Sequence, residues 1–91
     1  MDAADKERIQ RNLEDLIPIP YPEIRDKLIQ EGVLDEDDHD SLNVPMLPAR
    51  VISRKLYETI LRKGKRGDFR HLCDALREAG YDHLVEQMLQ E

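Results

Sequence analysis

Proline cannot donate a backbone hydrogen bond, and glycine readily takes the left-handed turn that ends a helix, so together they punctuate helices. In this chain the prolines fall at 18, 20, 22, 45 and 48 and the glycines at 32, 64, 67 and 80. Between those stops every segment carries apolar residues at spacings of three and four, and nowhere does a two-residue alternation run long enough for a strand. The punctuation predicts an all-α bundle of six short helices joined by short links.

The first predicted helix runs from Asp2 to Ile17, with Ile9, Leu13, Leu16 and Ile17 as its apolar stripe, and Pro18 and Pro20 stop it. The second opens with Pro22 as its first residue, carries Ile24, Leu28 and Ile29, and ends at Gly32. A short third helix is capped by Asp35 and reaches about Leu42. Pro48 opens the fourth, whose inward face is read as Val51, Ile52, Leu56, Ile60 and Leu61 before Gly64. Asp68 is the expected cap of a fifth helix bearing Phe69, Leu72, Cys73 and Leu76; Gly80 ends it. Asp82 starts a sixth with Leu84, Val85, Met88 and Leu89.

At 91 residues the chain is expected to form one domain over 1–91, with room for a core but hardly for a catalytic cleft. Cys73 is the only cysteine, so no internal disulfide forms, and it reads as a small core side chain. No apolar run nears the roughly 18 residues that cross a bilayer, and the acidic start is unlike a signal peptide. The expected location is cytoplasmic, with no membrane partner.

Charge is the informative irregularity. Residues 31–40 hold Glu31, Asp35, Glu36, Asp37, Asp38 and Asp40 with no Lys or Arg, a local charge of -6. Residues 48–70 hold eight basic residues against Glu58 and Asp68, a local charge of +6. With a net charge of -6, a generic nucleic-acid binder is disfavoured. The basic cluster Lys63-Gly64-Lys65-Arg66 reads as solvated surface.

Metal and catalytic chemistry find little support. Asp35 to His39 superficially suggests a calcium loop, but Asp40 stands where that loop needs glycine and Met46 where it needs a bidentate acid. His71, Cys73 and His83 lack the paired spacing of a zinc site, and no glycine-rich turn offers a phosphate cradle. No cofactor and no metal are expected. Arg66-Gly67-Asp68 reads as a turn and a helix start rather than a recognition tripeptide. Opposed charged patches remain, and they suit docking to another charged domain. Arg50 and Arg54 lie four apart on one helix face, and Arg8 and Arg11 extend that surface if the first and fourth helices are neighbours.

Gly67-Asp68-Phe69 followed by Leu72-Cys73-Asp74-Ala75-Leu76-Arg77-Glu78-Ala79-Gly80-Tyr81-Asp82-His83-Leu84 resembles the end of a caspase recruitment domain (CARD), closest to those of initiator caspases and apoptosome scaffolds. Leu28-Ile29-Gln30-Glu31-Gly32-Val33-Leu34-Asp35-Glu36-Asp37-Asp38 resembles the passage between that family's second and third helices. The order and length of all six segments also match. The link Pro18-Ile19-Pro20-Tyr21-Pro22 and the proline-bracketed loop at 45–48 depart from the family pattern.

The resemblance implies a six-helix antiparallel bundle of the death-domain superfamily with Greek-key topology. It also implies homotypic association, in which basic residues of one domain meet acidic residues of another. By that resemblance Arg50 and Arg54 fall at the family's helix-four arginines and Arg11 at a helix-one basic position; with Arg8 and Lys55 beside them they make the expected basic face, and the resemblance draws the acidic face from Asp26, Glu31, Asp35, Asp37 and Asp40. The implied partner is another CARD-containing protein, an initiator caspase or its activating scaffold in apoptosis, and the module itself is non-enzymatic. The alternatives are an inflammatory or innate immune adaptor that nucleates oligomers, and a free-standing decoy. The isolated domain is expected to be monomeric.

Overall fold

A computed structural model describes residues 1–90. Among them every regular element is helical: α1 Ala3–Arg11, α2 Leu13–Leu16, α3 Tyr21–Gln30, α4 Glu36–Leu42, α5 Ala49–Lys63, α6 Asp68–Glu78 and α7 Asp82–Leu89. Seven segments replace the six expected, because the first predicted helix is broken at Asn12.

The break has a local cause. The Asn12 side-chain amide donates to the Arg8 carbonyl at 2.8 Å, the acceptor that its own backbone N–H would take in an unbroken helix. That N–H turns instead to the Ile9 carbonyl at 3.2 Å. The Asn12 carbonyl then accepts from Asp15 and Leu16 and starts α2. Gln87 of α7 donates to the Asn12 side-chain oxygen at 2.7 Å and to Asp15 at 2.9 Å, which fixes the corner against the last helix.

Pro20 serves as N-cap of α3, so the helix starts at Tyr21, one residue before the proline expected to lead it. Pro22 still lies in the first turn, where its missing N–H costs nothing. At the far end Gly32 has φ 76°; its N–H meets the Ile29 carbonyl, and the Val33 N–H reaches back to Leu28. This pair of bonds closes the helix and turns Val33 and Leu34 into the core. Asp35 caps α4 as expected: its carboxylate accepts from the Asp38 N–H at 2.8 Å, while the Asp38 carboxylate accepts from the Asp35 N–H at 3.1 Å.

Two readings at α6 and α5 are corrected. Gly67, in the left-handed region at φ 88°, is the N-cap of α6; Asp68 is the first helical residue and is buried rather than capping. On α5 the inward face is Ser53, Leu56, Tyr57 and Ile60, whereas Val51 is exposed and Ile52 and Leu61 are half-buried. The core direction is rotated toward 53 and 57. The Ser53 hydroxyl donates to the Ile19 carbonyl at 3.0 Å, so a polar residue on the inward face is satisfied. Leu89, expected inside, is likewise exposed at the end of α7.

The core gathers Ile9, Leu16, Ile24, Leu28, Leu56, Ile60, Leu72, Leu76, Val85 and Met88 with Phe69 and Tyr57. The most extensive helix packing is that of α3 on α6; α3 also packs on α5, α5 on α4, α6 on α7, and α7 on α1. The Cα radius of gyration is 12.0 Å, close to the ~12 Å of a fully packed chain this long. Among the described residues no helix is long and apolar enough to cross a membrane.

Candidate protein interaction faces

The fifteen residues of α5 carry the basic face. Because Leu56 and Ile60 point inward, residues 50, 54 and 58 fall on the outer side one turn apart. Arg50, Arg54 and Lys55 are all exposed, and among the described residues none of them forms an ion pair. These guanidinium and ammonium groups are hydrated and unspent.

Arg8 and Arg11 are placed differently. Arg8 is half-buried, pairs with Asp5 at 2.8 Å and lies over the Phe69 ring at 5.9 Å, so it covers the start of α6. Arg11 pairs with Glu7 at 2.6 Å on the exposed side of α1. Neither α1 nor α2 packs appreciably along α5; they approach it only at its margins, where Ser53 bonds to Ile19 in the link after α2 and the Lys6 side chain lies beside Gly64 just past the end of α5.

The acidic residues split into spent and unspent. Asp26 is exposed and receives the Arg25 Nε at 3.2 Å. Glu31 is half-buried, held by Lys27 at 3.1 Å and faced by His71 Nδ1 at 3.5 Å. Lys27 also reaches Glu78, and those two carboxylates raise the lysine pKa above its ordinary value. Asp35 is tied by Lys63 at 3.3 Å, and the same ammonium contacts Asp38. The Asp35 carboxyl titrates below its ordinary range, chiefly because the Asp38 N–H donates to it and further because Lys63 stands beside it. Glu36, Asp37 and Asp40 are exposed with no ion pair among the described residues.

The sequence reading missed this internal joint. The last turn of α5 is basic and the first turn of α4 acidic, and the bundle sets them together through Lys63, while the Lys65 ammonium donates to the Gly32 carbonyl. Part of each patch is therefore consumed within the molecule, leaving Arg50, Arg54, Lys55 and Arg62 unpaired on α5 and Glu36, Asp37 and Asp40 unpaired on α4, among the described residues. The signal was the same opposition of sign, read as intermolecular only. Met46, between the two loop prolines, is 90% exposed, which helical spacing gives no signal of because it lies outside every helix.

Cys73 is buried and its thiol is pushed up to about 11 by desolvation, as suits a core side chain. Among the described residues no group of three or more His, Cys, Asp or Glu side chains is arranged to hold a metal. No family model, curated protein or solved structure matches the chain.

Proposed function

We propose that this chain is a non-catalytic homotypic docking module of the CARD type, a Greek-key bundle in which α1 and α2 count as one rod broken at Asn12. Its basic face on α5 takes the acidic α3–α4 face of another such domain, an initiator caspase or its activating scaffold in apoptotic signalling. The observation that carries the reading is the unspent pair Arg50 and Arg54, exposed one turn apart on the longest helix, with unspent acids of opposite sign on α4. Exposed charges contribute little to folding, but opposed potentials across an interface set partner choice and register.

The test is calorimetric titration of the domain against the recruitment domains of initiator caspases and apoptosome scaffolds. Reversing both arginines, Arg50→Glu with Arg54→Glu, is expected to weaken binding at least tenfold without altering the melting temperature, since like charges across an interface cost several kcal/mol. Equal affinity for the parent and the double variant removes this face from the mechanism.

A further inference from the structure

Helices α4 and α5 enclose an open polar groove of about 280 Å³, with Ser41 and Leu42 on one wall and Lys55, Glu58, Thr59 and Arg62 on the other. Lys55 and Arg62 stand seven residues apart, two turns of one helix face, and neither forms an ion pair among the described residues. The exposed Ser41 hydroxyl donates to the Asp37 carbonyl at 3.1 Å, a back-bond that does little for its own helix.

We propose that Ser41 is a phosphorylation site whose phosphate is held across this groove by Lys55 and Arg62. The reaction needs a protein kinase and ATP. The serine Oγ attacks the γ-phosphorus, the bond from that phosphorus to the β-bridging oxygen breaks, ADP leaves and the hydroxyl proton passes to the kinase base. Three features select Ser41 over Thr59. Ser41 lies one residue from the end of the seven-residue α4 and just before a non-helical stretch, so the extended form a kinase needs is reached by fraying a single turn. Thr59 sits inside the fifteen-residue α5 with its hydroxyl on the Lys55 carbonyl at 2.8 Å. And Asp37, Asp38 and Asp40 precede Ser41, complementing the basic substrate cleft of an acidophilic kinase.

Once made, the phosphoserine carries roughly -1.5 to -2 charges. Asp37, Asp40 and the C-terminal carbonyls of α4 repel it along its own helix. The facing wall of α5 offers two cations against the one carboxylate of Glu58, so the phosphate is driven across the groove. Lys55 is thereby withdrawn from the basic face while α4 gains negative charge. The modification would weaken the domain as a basic partner and strengthen it as an acidic one. The site itself does not depend on the docking reading.

The experiment treats the folded domain with ATP and an acidophilic serine kinase, maps phosphate by mass spectrometry, and follows the phosphorus NMR signal against pH. Phosphate is expected at Ser41, with its second pKa about half a unit below that of a phosphorylated peptide spanning 36–44, as suits a pair of partly exposed cations. The same phosphodomain carrying Lys55→Ala with Arg62→Ala should titrate like the peptide. Ser41 left unmodified, or a titration that matches the peptide in the parent domain, or one indifferent to the double substitution, would overturn the proposal.

Discussion

Single residues divide here by whether the sequence pattern reveals their direction. Leu56 and Leu76 were placed inward by helical spacing and are fully buried. Truncating either to alanine leaves a cavity in a core too small to absorb it, and should cost about 2–5 kcal/mol out of a total near 5–10 kcal/mol. Urea midpoints are the check, and a midpoint equal to the parent's would mean that the side chain is not in the core. Tyr57 is the opposite case. It is fully buried, yet a tyrosine beside Leu56 is as easily read on an outer flank, and only the rotation of α5 against the Ile19 link decides it. Cys73 yields a kinetic expectation: with its thiol near 11 and its side chain enclosed, aromatic disulfide reagents at neutral pH should label it only as fast as the domain opens. Complete labelling within seconds in native buffer would contradict that, whereas unfolding in denaturant should make it immediate.

Among the elements, α4 is short at seven residues and is tied down by its cap and by Lys63. The two attachments titrate in opposite directions. Asp35 has a lowered pKa, so its contribution is complete above the ordinary carboxyl value of 3.8 and is lost as pH falls through the lower folded value. Lys63 has a raised pKa, chiefly from its bond to Asp38, so its contribution is complete below 10.5 and is lost as pH rises through the higher folded value. Amide signals of α4 should therefore loosen at both extremes and hold between about 4 and 10. In Lys63→Met the alkaline change should vanish while the acid change persists, because Asp35 owes its shift first to the Asp38 N–H; an unaltered alkaline limb would mean that Lys63 does not hold the helix.

These elements also mark how far the sequence could be read. The caps at Asp35, Gly32 and Gly80 were legible because each acts through its neighbours within a few residues. The break at Asn12 was not, since a continuous apolar stripe runs through it and the competing amide is held by Gln87, 75 residues away. Nor was the tie from α5 to α4, because pairing of Lys63 with Asp35 and Asp38 depends on how helices are set together.

For the whole molecule, that tie bears on self-association. A surface with both complementary faces makes a head-to-tail contact that need not close. Here Lys63 has already neutralised part of the acidic face from within, and the net charge of -6 repels like copies. Sedimentation velocity should find a monomer at micromolar concentration. Any weak association should fade as salt shortens the screening length from about 10 Å at 0.1 M to about 3 Å at 1 M. Oligomers that survive high salt would place the contact on apolar surface, for which the exposed Met46 is the first residue to substitute.

The bond from Gln87 to Asn12 has a further consequence during synthesis. The corner that seats the amino-terminal rod is supplied by the last helix, so α1 has no finished docking place until residue 87 has left the ribosome. With translation at about 5–20 residues per second, the rod waits several seconds with Ile9 and Leu16 uncovered while the middle helices gather. The domain closes its fold by joining its first helices to α7, and a nascent copy is at its most adhesive before α7 emerges.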